Sequence, residues 1–236
     1  MKAVLFDLDD TLFDHQYCYR AALQAIYDHF EPLRAKPFTD LETLYQNILE
    51  TFHTQAVAGK ISLEEARRLR IQAIFVDYGM DISLDDAQRI DETHYRHTYM
   101  KARRAVPGAQ QLLATLRERE LKIGIITNHV LTEQTDKLVA IGLTDYTDVV
   151  IAAGEVGVSK PDPHIFQILL DSLNCQPHDV VLVGDSWNAD IIGAKRAGIR
   201  AIWLNRYEIP CPDPSLAKEI HALEPVEDVL KIIFDI

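Results

Sequence analysis

The chain has 236 residues, 47% hydrophobic and 25% charged, with 36 acidic against 24 basic side chains and a formal charge of −12. That length buries well over half of the unfolded surface and allows one large domain or two modest ones. The acidic balance argues against a nucleic-acid polymer or an anionic lipid surface as partner, so a small anionic substrate needs a metal ion or a few aimed donors to bind.

The first predicted element is a strand over Ala3–Phe6, a continuous β-rich apolar run suited to burial on both faces. It ends in Asp7-Leu8-Asp9-Asp10-Thr11. Residues ~14–105 carry no strand signal but four helical patterns. These are Tyr19, Ala22, Leu23, Ile26 and Phe30; Leu41, Leu44, Ile48 and Phe52; Leu63, Ala66, Leu69 and Ile74; and Ala87, Ile90, Tyr95 and Tyr99. Turn signals at Pro37, Gly59 and Gly79 separate them, and Val106-Pro107-Gly108 closes the stretch.

A helix is predicted over Gln110–Glu120, then a strand over Ile123–Ile126 ending in Thr127-Asn128. A helix over Leu131–Ile141 ends at Gly142, and a third strand follows at Val149–Ala152. Ser159-Lys160-Pro161 opens a helix over Pro161–Leu173, with proline in the first turn, where its missing N–H costs nothing. The fourth strand, Val180–Val183, ends in Gly184-Asp185, with Asp190 five residues on. A helix over Ala189–Ala197 stops at Gly198, and a fifth strand covers Ala201–Leu204. Strands alternating with helices predict an α/β fold with a doubly wound, Rossmann-like parallel sheet. Residues 1–14 and 106–236 would form its core, and residues 15–105 an inserted helical bundle.

Open α/β sheets bind ligands beyond the carboxyl ends of their strands, where strand order reverses. Asp7, Asp9, Thr127, Lys160, Asp185 and Asp190 are therefore expected in one crevice. Asp7, Asp9 and Asp185 together place three carboxylates in close range, and one such pair ~4 Å apart costs about 4 kcal/mol at a surface-like dielectric. A hard divalent cation relieves this repulsion, and few carboxylates with room for water and substrate oxygens suit Mg²⁺. A carboxylate beside such a cation can attack phosphorus and form an aspartyl phosphate. Thr127 can then donate to a phosphoryl oxygen, Lys160 can meet the growing charge, and Asp9 can act as acid and base. The acid role needs a protonated Asp9; its carboxylate neighbours raise its pKa and the metal lowers it. Asp190 taken alone reads as the N-cap of the following helix.

Four segments together resemble the motifs of the haloacid dehalogenase (HAD) superfamily, in order and across essentially the whole chain. They are Phe6-Asp7-Leu8-Asp9-Asp10-Thr11-Leu12, Ile125-Ile126-Thr127-Asn128, Ser159-Lys160-Pro161-Asp162 and Val183-Gly184-Asp185-Ser186-Trp187-Asn188-Ala189-Asp190. The resemblance implies a sheet ordered 5-4-1-2-3 and a helical cap inserted after the first strand. It makes Asp7 the nucleophile and Asp9 the acid/base, and it assigns Thr127, Asn128 and Lys160 to phosphate. It also implies Mg²⁺ held by Asp7, Asp185 and the Asp9 carbonyl, with Asp190 supporting the metal or its waters. Members that dehalogenate 2-haloacids typically lack the second aspartate, so Asp9 favours a phosphatase acting on a small phosphorylated metabolite. Ile125–Asn128, Gly154–Pro161 and Ile202–Asn205 are most similar to pyrimidine 5′-nucleotidase-like members. One departure is His129, where many relatives have glycine; it either narrows the phosphate side or points outward.

The competing expectations are a 2-haloacid dehalogenase, a phospho-acceptor module and a phosphate-binding protein without turnover. His94 and His97 are spaced for a metal but read as cap surface, while Phe13, His15 and Tyr17 are candidates to line a substrate pocket. Cys18, Cys175 and Cys211 form no CxxC and read as thiols in a reducing compartment. No signal peptide and no stretch of ~20 apolar residues is seen, so a cytoplasmic monomer or homodimer with no membrane partner is expected.

Overall fold

The computed structural model describes residues 1–235. The chain divides into two compact units, one of Met1–Asp14 with Arg104–Ile236 and one of His15–Arg103. Strand β1 (Ala3–Phe6) opens the first, and all four of its residues are buried.

The second unit contains helices α1 (His15–His29), α2 (Phe38–Val57), α3 (Leu63–Asp77), α4 (Leu84–Ile90) and α5 (Arg96–Ala102). Ser62 and Ser83 start α3 and α4 by accepting the backbone N–H groups of Glu65 and Asp86. A π turn over Asp91–Tyr95 joins α4 to α5. The core combines Tyr19, Ala22, Leu23 and Ile26 of α1, Leu41 and Tyr45 of α2, Ile71, Ile74 and Phe75 of α3, and Ala87 and Tyr95. Two predicted faces shift. In α2 the buried face turns to Tyr45, with Leu41 kept, and in α3 it turns from Leu63 and Leu69 to Ile71 and Phe75. Tyr45 and Phe75 bring wide rings into the bundle core, while Ile71 joins them as an aliphatic residue.

The first unit continues with α6 (Ala109–Glu118), β2 (Lys122–Thr127), α7 (Leu131–Ala140), β3 (Val149–Ala152), α8 (Ala153–Val156) and α9 (Pro163–Leu173). Then come β4 (Val180–Gly184), a π turn over Trp187–Ile192, α10 (Gly193–Arg196), β5 (Arg200–Leu204), β6 (Lys218–Ile220) and α11 (Val226–Phe234). The six strands are parallel in the order β3-β2-β1-β4-β5-β6. Read from β5 to β3 this is the 5-4-1-2-3 order the resemblance implied, with β6 added beyond β5.

Three predicted details change. Helix α9 begins at Pro163, because Asp162 is its N-cap and accepts the N–H of His164. The helix predicted from Ala189 begins as a π turn capped by Ser186, whose hydroxyl accepts the Ala189 N–H, so Asp190 is not the cap. Strand β6 and helix α11 lie beyond the last predicted element.

One sheet face packs Ala3, Leu5, Ile126, Leu182, Ala201 and Trp203 against Ile165, Phe166, Leu169, Leu170 and Leu173 of α9. The two-residue period of a strand turns Val4, Phe6, Ile125, Val183 and Ile202 to the opposite face, as a doubly wound sheet requires. Gly124 is needed where α9 crosses β2: a Cβ there would lie 2.9 Å from Leu173 Cδ1 and 3.0 Å from Leu169 Cδ1. Leu169→Ala, which opens a cavity at this crossing, should lower the unfolding free energy by about 2–5 kcal/mol in urea titrations. A loss below about 1 kcal/mol would mean that α9 is not close-packed here.

Candidate active site

Parallel register sets the site. Phe6 pairs with Ile125 on one side and Val183 on the other, so the chain just past β1 lies level with the ends of β2 and β4. Order reverses at β1, and Asp7, Thr127 and Asp185 all emerge at that switch point. The Asp7 N–H donates to the Val183 carbonyl at 3.0 Å, which continues the ladder one step past the strand. The loop then folds tightly: Leu12 and Phe13 both donate to the Leu8 carbonyl, at 2.9 and 2.8 Å. Asp10 takes a left-handed conformation with φ 60°, which aspartate tolerates better than most residues.

Lys160 joins the strand ends. Its ammonium donates to Asp7 Oδ1 and Asp190 Oδ1, each at 2.6 Å, and to the Ile126 carbonyl at 3.0 Å. All three of its hydrogens are thereby used. Burial pulls this ammonium down, but Asp190 and Asp7 outweigh that and hold its pKa above the ordinary value. The Asn128 side chain grips the Lys160 backbone from both sides, donating to its carbonyl at 2.9 Å and accepting its N–H at 2.8 Å. Asn128 thus positions Lys160, and its side-chain amide is already engaged.

Asp190 is fully buried on the π turn. Its Oδ1 receives Lys160 and its Oδ2 accepts the Ser186 N–H at 3.0 Å. Gly184 makes this approach possible: a Cβ there would lie 2.5 Å from Asp190 Cγ. Asp185 is steadied through its carbonyl, which accepts Trp203 Nε1 at 2.7 Å, and Thr11 Oγ1 reaches its carboxylate at a long 3.5 Å.

One oxygen from each of Asp7, Asp185 and Asp190 can be chosen so that all three lie within 4.8 Å of one another. Burial, ahead of the opposing pull of Lys160, pushes Asp7 up to about 7. Burial first, then the charges of Asp7, Asp190 and Asp10, raises Asp185 well above the carboxylate range. Three carboxylate oxygens gathered this closely fit a hard divalent cation such as Mg²⁺ and do not suit a soft metal. The Asp9 carboxylate is held elsewhere. Lys137 Nζ donates to its two oxygens at 2.6 and 2.8 Å, and Gln134 Nε2 donates to Oδ2 at 2.9 Å.

Thr127 is buried and its Oγ1 receives Gln134 Nε2 at 2.6 Å. His129 Nδ1 accepts the N–H of Val130 at 2.8 Å, so this ring folds onto its own backbone. In the helical unit, His15 Nδ1 meets the Tyr99 hydroxyl at 2.9 Å, and Tyr17 is exposed. His94 lies against the rings of His29 and Phe30, and among the described residues it belongs to no metal-competent cluster. Phe13 is buried with Lys137 Nζ 5.2 Å from its ring centre.

Sequence reasoning missed Gln134, Lys137, Asp14, Arg104 and Arg206. Asp14 accepts Arg104 Nε at 2.8 Å and Arg206 at 2.9 Å, and Arg206 also reaches the Asp10 carbonyl at 3.3 Å. A signal existed for the first two residues, because polar side chains three apart on a helix beginning four residues after Thr127 share one face. Arg206 carried none, since it follows the last predicted strand.

A parallel sheet that gathers an acid cluster, a buried lysine and a threonine at its switch point defines an α/β enzyme built around a carboxylate centre. The model for haloacid dehalogenase-like hydrolases matches residues 1–198, and the chain belongs to that family. It is 30% identical to the phosphoserine phosphatase of Thermus thermophilus, over 93% of this chain and 94% of that one. It is 28% identical to the pyrimidine 5′-nucleotidase YjjG of Escherichia coli, over 89% and 88%. The magnesium-bound HAD-hydrolase YfnB of Bacillus subtilis has the same fold, with a TM-score of 0.75, 24% identity and coverage of 98% and 99%.

The raised Asp7 pKa has a defined consequence for stability. A carboxyl more basic folded than unfolded stabilises the fold below pH 4, and that contribution is lost as the pH rises through about 7. Mg²⁺ should therefore raise the thermal midpoint more at pH 7.5 than at pH 5, by several degrees, and Asp7→Asn should flatten the difference. Equal shifts at both pH values in differential scanning fluorimetry would contradict the assignment of Asp7 to the cation site. Gly184→Ala, which drives a methyl into Asp190, should also abolish most of the Mg²⁺-dependent shift.

Proposed function

We propose that the protein is a Mg²⁺-dependent phosphatase that hydrolyses a small phosphate monoester through a phospho-aspartate on Asp7. The observation that carries this reading is the pairing of the Asp7–Asp185–Asp190 oxygen cluster with a second loop carboxylate, Asp9, two residues from Asp7. Relatives named as phosphatases, among them the phosphoserine phosphatase, support the same class.

Asp7, Asp185 and Asp190 would hold the cation, with the Asp9 carbonyl as a further donor. Bound there, Mg²⁺ supplies positive charge that screens nucleophile from phosphate. Lys160 keeps Asp7 Oδ1 fixed at 2.6 Å and holds its orientation. In the first half-reaction an Asp7 oxygen bonds to phosphorus, the bond to the leaving oxygen breaks, and protonated Asp9 gives that oxygen its proton. In the second, Asp9 takes a proton from water as the water oxygen bonds to phosphorus, and the bond to Asp7 breaks. Thr127 donates its hydroxyl to a phosphoryl oxygen, and the Lys160 ammonium offsets charge there.

The substrate class is a small phosphorylated metabolite, in keeping with the net charge of −12, which disfavours polyanionic partners. Among the described residues no helix is long and apolar enough to cross a membrane. Three free thiols agree with a cytoplasmic setting.

Purified protein should hydrolyse p-nitrophenyl phosphate with Mg²⁺ and lose that activity in chelator. Asp7→Asn should reduce turnover by about a thousandfold or more, and Asp9→Asn by about 10²–10⁴-fold. Activity that survives chelation, or a fully active Asp7→Asn variant, would end this mechanism. Metal-independent halide release from a 2-haloacid would instead favour the dehalogenase reading.

A further inference from the structure

Two buried polar side chains of α7 reach the site without a part in the chemistry above. Gln134 is fully buried and Lys137 is 6% exposed. Three positions apart, they share one helix face, and both end on Asp9. Gln134 goes further, because its Nε2 also donates to Thr127 Oγ1 at 2.6 Å.

Chemistry settles which way the Gln134 amide points. Both Asp9 oxygens already accept from Lys137, so in this arrangement they act as acceptors and the amide nitrogen faces them. Its two N–H groups are then both used, one on Asp9 Oδ2 and one on Thr127 Oγ1. The Thr127 hydroxyl owns a single proton. With Gln134 donating to its oxygen, that proton cannot point back at Gln134, and no protein acceptor among the described residues takes it. The consequence is a hydroxyl whose proton is left for a bound ligand.

A second observation separates this from ordinary packing. Gln134 Oε1 is buried and receives no protein donor. A buried acceptor in that state is a cost that leucine, of similar size, would not carry. Glutamine at this position is explained by what its nitrogen does.

We propose that Gln134 is a positioning residue that links the Thr127 hydroxyl to the Asp9 carboxylate, so that the phosphate donor and the acid/base are set in one arrangement. Lys137 holds the same carboxylate by both oxygens. The proposal rests on the phosphatase reading.

The test is a double-mutant cycle. Wild type, Gln134→Leu, Thr127→Val and the double variant are assayed for kcat and KM with p-nitrophenyl phosphate and Mg²⁺, with thermal midpoints in parallel. Gln134→Leu should lower kcat/KM about 10–100-fold while the midpoint stays level or rises. In the Thr127→Val background the same change should cost less than about threefold, because no hydroxyl remains to be aimed. Gln134→Met serves as a second variant should leucine disturb folding. Equal losses in both backgrounds, or a loss that tracks a fallen midpoint, would overturn the proposal while the phosphatase reading stands. A wild type inactive on phosphate esters would overturn both.

Discussion

The site depends on one buried cation, the Lys160 ammonium, which holds together chain segments that carry like charge. It contacts the carboxylate following β1, the carbonyl of Ile126 in β2 and the carboxylate on the π turn after β4. Without it, Asp7 and Asp190 would be buried anions with no compensating charge beside Asp185. Removing one partner from such a pair typically costs about 3–5 kcal/mol, because the remaining charge stays buried. The pair therefore reads less as a source of stability than as a constraint on geometry. Its three hydrogens fix where Asp7 Oδ1 sits relative to the β2 end, and Asn128 fixes the backbone that carries the ammonium.

Much of this was legible in the sequence, for identifiable reasons. Strands buried on both faces leave continuous apolar runs, and β1 and β3 fall where those runs do. The polar residues that end the runs were readable as a site because parallel strands point the same way. What was not legible depends on side chains meeting across distance. Residue spacing does not show that Asn128 turns to the Lys160 backbone or that Asp9 is met from α7. Strand β6 was missed because Lys218 and Glu219 are exposed and only Ile220 is buried. The π turn was missed because its residues pattern as a helix; the extra residue in its turn accompanies burial of Asp190 beside Gly184.

The helical unit shows the complementary case. Its tyrosines Tyr19, Tyr45 and Tyr95 are buried in the bundle core. Tyr45 and Tyr95 satisfy each other through their hydroxyls, and Gln46 donates to the Tyr19 hydroxyl at 3.0 Å. Burial of tyrosine with its hydroxyl paired is ordinary structural behaviour and accounts for these rings as core.

The points where the chain leaves and re-enters the sheet unit are tied to each other. The Asp14 N–H donates to the Arg104 carbonyl at 3.1 Å, the Val106 N–H donates to the Leu12 carbonyl at 2.8 Å, and the Arg104 guanidinium closes on the Asp14 carboxylate. To the sheet, the ninety or so residues between are one long excursion that starts and finishes at neighbouring atoms. Lengthening such an excursion adds only a slowly growing entropic penalty. Because the junction closes on itself, the sheet unit receives the chain back where it released it, and its strand order needs no contribution from the residues between.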